Sequence, residues 1–257
     1  MRKFFHFANL CLPLLIFLAI NLYPQNIEVL RQRVPQYISE LKKLIEEINK
    51  GEVSFDKMVK AASLASTIVL VAKDKKLKMK AARIGLEIAK GIMKKYPDRA
   101  AGYYYGALHL GYYALYRGPQ YSLADIPLVK RWLEKAMKIN PDYHSGSLYI
   151  LACALYFEAP GFPVSIGNIF KAKKYCEMSV KKFPQNATAY LYLAAIYSIL
   201  GNNKKAEEVL LQCKRNARPI DNSLEEKVFT EEDLKTADLM LEKLKRGEKL
   251  GEFMKER

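Results

Sequence analysis

The sequence is poor in residues that break helices and in residues that carry chemistry. Glycine and proline contribute only 13 and 11 of 257 residues, and they fall between stretches of apolar periodicity. Turn-rich, sheet-built folds draw on more of both, so helices are the default expectation. There are three histidines, four cysteines and one tryptophan. His6 lies in the first apolar run, and His109 and His144 have no carboxylate at metal-ligand spacing. A lone helical histidine is more often structural than functional. Glycine-rich dinucleotide fingerprints, phosphate loops and nucleophile elbows are all missing. Without a metal motif, a cofactor motif or a nucleophile paired with a base, a binding protein is expected rather than an enzyme, with no cofactor.

Charge of one sign is in excess. The net charge is +15, yet the lysines are spread along nearly every periodic stretch, opposite its apolar stripe. No dense Lys/Arg run or nucleic-acid-binding signature accompanies them, so a solvated basic surface is expected and nucleic acid is not an expected partner. Met1-Arg2-Lys3 precedes a nearly uncharged apolar run from Phe4 to Tyr23. A short positive start before an apolar core is the pattern of an export signal, and about 20 residues can also span a bilayer. Residues 1–24 are therefore expected to act as a signal peptide or an inner-membrane anchor, placing the rest in an extracytoplasmic compartment. Ala8-Asn9-Leu10 before Cys11 is a poor lipid-attachment site.

Residues 25–53 carry a helical apolar pattern that Pro35 should interrupt and Gly51 should end. From Ser54 onward, helices are expected in pairs. Each pair closes at a proline: Pro97, Pro141, Pro184 and then Arg218-Pro219, at spacings of 44, 43 and about 34 residues. Such self-similarity marks a solenoid. In the last unit, counted from Ala187, Tyr190, Leu193, Ala194, Tyr197, Gly201, Ala206, Leu210 and Cys213 stand at positions 4, 7, 8, 11, 15, 20, 24 and 27. Small residues at 8, 20 and 27 let antiparallel helices approach, while larger ones at 4, 11 and 24 fill the gap to the next pair.

This register resembles the tetratricopeptide repeat (TPR). The resemblance implies an all-α, TPR-like helical-hairpin solenoid over residues 54–219. Residues 220–257 then supply a capping helix, expected from about Thr230 to Lys245, and a charged tail expected to fray. In the two units before the last, the connector between first and second helix is longer than the consensus by 10 and 9 residues. Ser122 aligns there with Ser165 and Asp125 with Asn168, residues suited to capping a following helix. Cys153 and Cys176 fall on the facing helices of one pair. They either bridge in an oxidising compartment or, the plainer expectation, pack as small buried residues like Cys213.

The 17 tyrosines are the strongest surface signal, and six crowd the stretch from Tyr103 to Tyr116. Six rings on one helix cannot share one buried stripe. In the TPR arrangement, first helices line a concave groove, so Tyr104, Tyr105, Tyr112 and Tyr149 are expected as exposed groove contacts, with His109 and Tyr192 beside them, for a protein or peptide partner. Tyr104 and Leu108 stand where carboxylate-clamp repeats carry their clamping polar residues. Finally, Ala159-Pro160-Gly161-Phe162-Pro163-Val164-Ser165-Ile166-Gly167-Asn168, running into Lys171-Ala172, resembles a connector of the exported T-component proteins associated with TRAP transporters. That resemblance implies a periplasmic solute-binding protein as partner and a small apolar ligand beneath the connectors, with Phe162 and Val164 as the competing contact site.

Overall fold

The computed structural model describes residues 24–51 and 53–255. The expected signal or anchor over residues 1–24 lies outside them, apart from its last residue. Every regular element among the described residues is helical: α1 (Pro24–Gln32), α2 (Val34–Asn49), α3 (Phe55–Val71), α4 (Lys75–Lys95), α5 (Ala100–Arg117), α6 (Pro119–Ile139), α7 (Ser147–Glu158), α8 (Ile169–Lys182), α9 (Ala187–Ile199), α10 (Asn203–Asn216), α11 (Leu224–Lys245) and α12 (Leu250–Lys255). None of these helices is long and apolar enough to cross a membrane.

The segment read as one N-terminal helix divides into α1 and α2 at Arg33, with Pro35 in the first turn of α2. Proline is tolerated there because a first-turn N–H has no helical acceptor. Four antiparallel pairs follow: α3 with α4, α5 with α6, α7 with α8, and α9 with α10. Side-chain caps set several helix starts. Ser54, Asp74, Asn168 and Asn202 each accept the backbone N–H three residues on, at 3.4, 2.6, 2.9 and 3.0 Å. The TPR-like register of the last pair holds, since Ala194, Ala206 and Cys213 are fully buried where α9 meets α10. Gly201 turns the chain between them with φ +78°, a conformation side-chain-bearing residues rarely adopt. Ala194→Phe and Ala206→Phe should each cost about 1–3 kcal/mol by overpacking this contact. Thermal melting checks this, and an unchanged midpoint for both variants would contradict the packing.

The two long connectors part company. Before α8 the chain remains an irregular loop from Ala159 to Asn168, as Pro160, Pro163 and two glycines dictate, and Asn168 caps the helix as expected. Before α6 there is no loop. The extra residues coil into the helix, so Ser122 and Asp125 lie inside α6 rather than capping it. Two contacts hold that extension. Arg117, at the end of α5, pairs with Asp125 and lies 4.5 and 4.7 Å from the ring centres of Tyr113 and Tyr121. The Ser122 hydroxyl donates to the Gly118 carbonyl at 3.3 Å.

The C-terminal region departs furthest from expectation. Helix α11 starts at Leu224, six residues earlier than Thr230, because Ser223 accepts the Glu226 N–H at 3.2 Å. It is more than an end cap. Its first turn reaches α2, where Tyr37 donates to Glu225 at 2.5 Å and Arg33 pairs with the same carboxylate at 3.4 Å. Further along, Thr188 of α9 donates to Asp233 at 2.6 Å and Lys214 of α10 pairs with Asp238 at 2.5 Å. Helix α11 therefore bridges the two ends of the solenoid, touching α1 as well as α9 and α10. The tail forms a short helix, α12, up to Lys255. The Leu250 N–H donates to Ser198 at 3.1 Å, and Gly251 sits so close to Ile199 that a Cβ would lie 2.4 Å from it.

Candidate functional site

The first helices do line one concave face, as the repeat geometry requires, and the start of α11 borders it. The result is a partly open chamber of about 730 Å³, walled by α2, α3, α5, α7 and the start of α9 and bordered by residues 218–233. Tyr104, Tyr105, Tyr112 and Tyr192 all reach it, with Tyr37 from α2 and Phe229 from α11. The expectation that the tyrosines are exposed groove contacts is corrected. Tyr104, Tyr105, Tyr112, Tyr149 and Tyr192 retain only 2–7% of their surface. Tyr104 packs against Tyr105, Tyr143 and His144, with ring centres 4.9, 5.4 and 5.5 Å away, and Tyr192 against Phe157 at 5.6 Å, while α11 buries Val228, Ala237, Met240 and Leu241.

Tyr149 is not on that face. Its ring packs near Phe183, and its hydroxyl lies 3.5 Å from both Asp142 and the Lys182 amine. His109 is fully buried between helices and not in the chamber lining. Its Nε2 lies 2.9 Å from the Ala62 carbonyl and 3.1 Å from the Ser66 hydroxyl, tying α5 to α3, while Nδ1 has no partner among the described residues. Burial pulls its pKa down to about 4 against one opposing backbone hydrogen bond, so the ring is neutral near pH 7. The lone histidine is thus an interhelix tie.

The chamber's charge was not legible from groove positions alone. Asp221, Glu225, Glu226 and Asp233 enter from the segment that closes it, and Glu40 from α2. Glu40 is neutralised by Lys60 at 2.5 Å and Glu225 by Arg33. Glu226 is different. Burial comes first, then the carboxylates Asp221 and Asp233 and, more weakly, Glu225, and together they raise its pKa to about 7 against a backbone hydrogen bond from Ile220. The clue available in the sequence was Ser223-Leu224-Glu225-Glu226, a capping-box pattern that starts the helix early and brings Glu226 into its first turn. Among the described residues, no group of three or more His, Cys, Asp or Glu side chains is arranged to hold a metal ion.

Phe162 and Val164 sit elsewhere, on the connector between α7 and α8, and are exposed at 93% and 68%, and Phe170 in the first turn of α8 is exposed at 69%. The connector presenting them is pinned by its own backbone. The Gly167 N–H donates to the Pro160 carbonyl at 2.7 Å, the Val164 N–H to Gly161 at 3.0 Å and the Asn168 N–H to Tyr156 at 2.8 Å. A Cβ on Gly167 would lie 1.9 Å from the Ala159 carbonyl, so only glycine fits that closure. Beneath it, Cys153 and Cys176 form a disulfide joining α7 to α8. The plainer expectation of three packed thiols holds only for Cys213, which is buried and free.

The family model described as regulator of microtubule dynamics protein 1-3 matches residues 27–153. No curated protein matches the sequence. Among five solved chains that match, one is described as a thermophilic TPR protein in Thermus thermophilus. It is 17% identical, covers 77% of this chain and 99% of that chain, and superposes with a TM-score of 0.46. The chain is similar to these proteins. Its assignment as an all-α, TPR-like hairpin stack rests on its own helix pairing and on the buried small residues of the last pair.

Proposed function

We propose that the protein is a non-catalytic, exported interaction scaffold that docks a protein partner through the connector between α7 and α8. The observation that carries this reading is solvent-facing Phe162 and Val164 on a loop held by its own backbone hydrogen bonds, with Phe170 exposed in the first turn of α8. Large apolar side chains held rigidly in water lose little entropy on binding, which is the condition under which a few residues dominate an interface. The buried chamber tyrosines offer a macromolecule little surface. The Cys153–Cys176 disulfide supports export, since such bonds persist mainly in oxidising compartments. The connector's likeness to T-component proteins makes a periplasmic solute-binding protein the first partner to test.

The experiment is affinity capture on the immobilised full chain from periplasmic and membrane fractions, followed by affinity measurement with the purified partner. Phe162→Ala should weaken binding roughly thirtyfold, the equivalent of about 2 kcal/mol, and Tyr105→Ala, buried in the chamber wall, should not weaken it comparably. Equal affinities for the parent chain and Phe162→Ala would refute the connector as the docking surface.

A further inference from the structure

We infer that the partly open chamber binds an organic cation, an amine or quaternary ammonium group carried on an apolar body. The inference is independent of the docking surface. Three observations converge on it. The chamber's volume, about 730 Å³, falls in the range of small-molecule sites, and its wall is built from tyrosine rings and aliphatic side chains. The faces of such rings attract a cation, and more strongly once it is desolvated.

The second observation is charge. In a chain of net charge +15, the closing segment brings Asp221, Glu225, Glu226 and Asp233 to this one place. Arg33 answers Glu225 and Lys60 answers Glu40, and Thr188 donates to Asp233. The charged groups acting on Glu226 are all carboxylates. Arg218, the other basic side chain in the lining, is exposed and donates to the Ala217 carbonyl. His144 borders the chamber too, with its pKa held down by burial against the pull of Asp221.

The third observation is the Tyr112 phenol. Tyr112 lines the chamber with 4% of its surface exposed. Burial and the neighbouring Tyr116 account for its raised pKa, and no hydrogen bond to a described residue contributes. A phenol hydroxyl that lines a pocket without a protein hydrogen-bond partner is placed to bond a ligand or water. An anionic ligand would meet Glu226 with like charge. A cation would convert the repulsion among Glu226, Asp221 and Asp233 into attraction and favour the ionised carboxylate, so its affinity should rise with pH across the titration of Glu226.

The test is isothermal titration of the full, unaltered chain with octyltrimethylammonium below its micellar concentration, beside octyl sulfate and octanol as anionic and neutral counterparts. One-to-one binding of the cation is expected, at least tenfold tighter than either counterpart and tightening between pH 6 and 8. Glu226→Gln should weaken the cation at least tenfold while leaving octanol unchanged. Binding of octyl sulfate equal to or tighter than the cation, or no binding of the cation to the folded chain, would overturn the inference. So would equal cation affinity in a folded Glu226→Gln protein. The comparison of the three probes on the unaltered chain stands even if that variant fails to fold.

Discussion

Gly85→Ala should lower the thermal midpoint by roughly 6–12 °C, a loss of about 3 kcal/mol in a chain of this size. Alanine is ordinarily the better helix residue by about 1 kcal/mol, so the sign itself is diagnostic. At this position in α4 a Cβ would lie 2.2–2.5 Å from the imidazole of His109. The ring cannot step aside without giving up its bonds to Ala62 and Ser66, and its surroundings are fully buried. Pairing Gly85→Ala with His109→Ala should recover part of the loss, because the clash has two partners and removing either relieves it. Additive losses in the double variant would show that the contact is not the cause.

The same imidazole sets an acid sensitivity. Its pKa is about 6.5 in the unfolded chain and about 4 in the fold. Above 6.5 both states hold it neutral and it contributes no pH dependence. As pH falls from 6.5 to 4, only the unfolded chain gains the proton, and about 3 kcal/mol of stability is lost. Replacing His109 with an uncharged residue should remove that part of the acid slope in denaturant titrations, whatever it does to the stability near pH 7.

Reduction of Cys153–Cys176 should destabilise the chain by about 3 kcal/mol. The bond closes a loop across a sequence separation of 23, and constraining the unfolded chain to that extent is worth this much on a chain-entropy account. Dithiothreitol should therefore lower the melting midpoint by roughly 6–12 °C. Cys153→Ala/Cys176→Ala should melt low and be indifferent to the reductant. Because the bond joins α7 to α8 directly below the connector, its loss should also loosen Phe162 and Val164 and raise proteolytic nicking between residues 159 and 168. Identical melting of oxidised and reduced chains would mean the two thiols contribute no more than their packing. Chain recovered from an exported fraction should carry the bond, and recovery fully reduced would count against export.

The repeat units were written in local pattern. Prolines at Pro97, Pro141 and Pro184, and small residues at Ala194, Ala206 and Cys213, specify where helices stop and where they touch, because those constraints act over one or two turns. The connector before α8 was equally legible, since Pro160 and Pro163 forbid helix there and Asn168 caps the helix after it. The same reasoning failed before α6, where Ser122 and Asp125 could cap or continue a helix. The choice fell to contacts made by Arg117 with Asp125, Tyr113 and Tyr121.

Sequence alone determined the helical stack and the face on which the tyrosines gather, for both follow from a period of 3.6 and a repeat near 34–44 residues. Only the tertiary structure decided what borders that face. An amphipathic helix near the C-terminus looks the same whether it caps the last pair or folds back along the groove. The decision rests on contacts across nearly the whole chain, Tyr37 and Arg33 to Glu225 at one end of α11 and Thr188 to Asp233 further along. No local pattern encodes such pairings. They bring acidic side chains to the border of the groove, while the connector at Phe162 carries the most exposed large apolar side chain among the described residues.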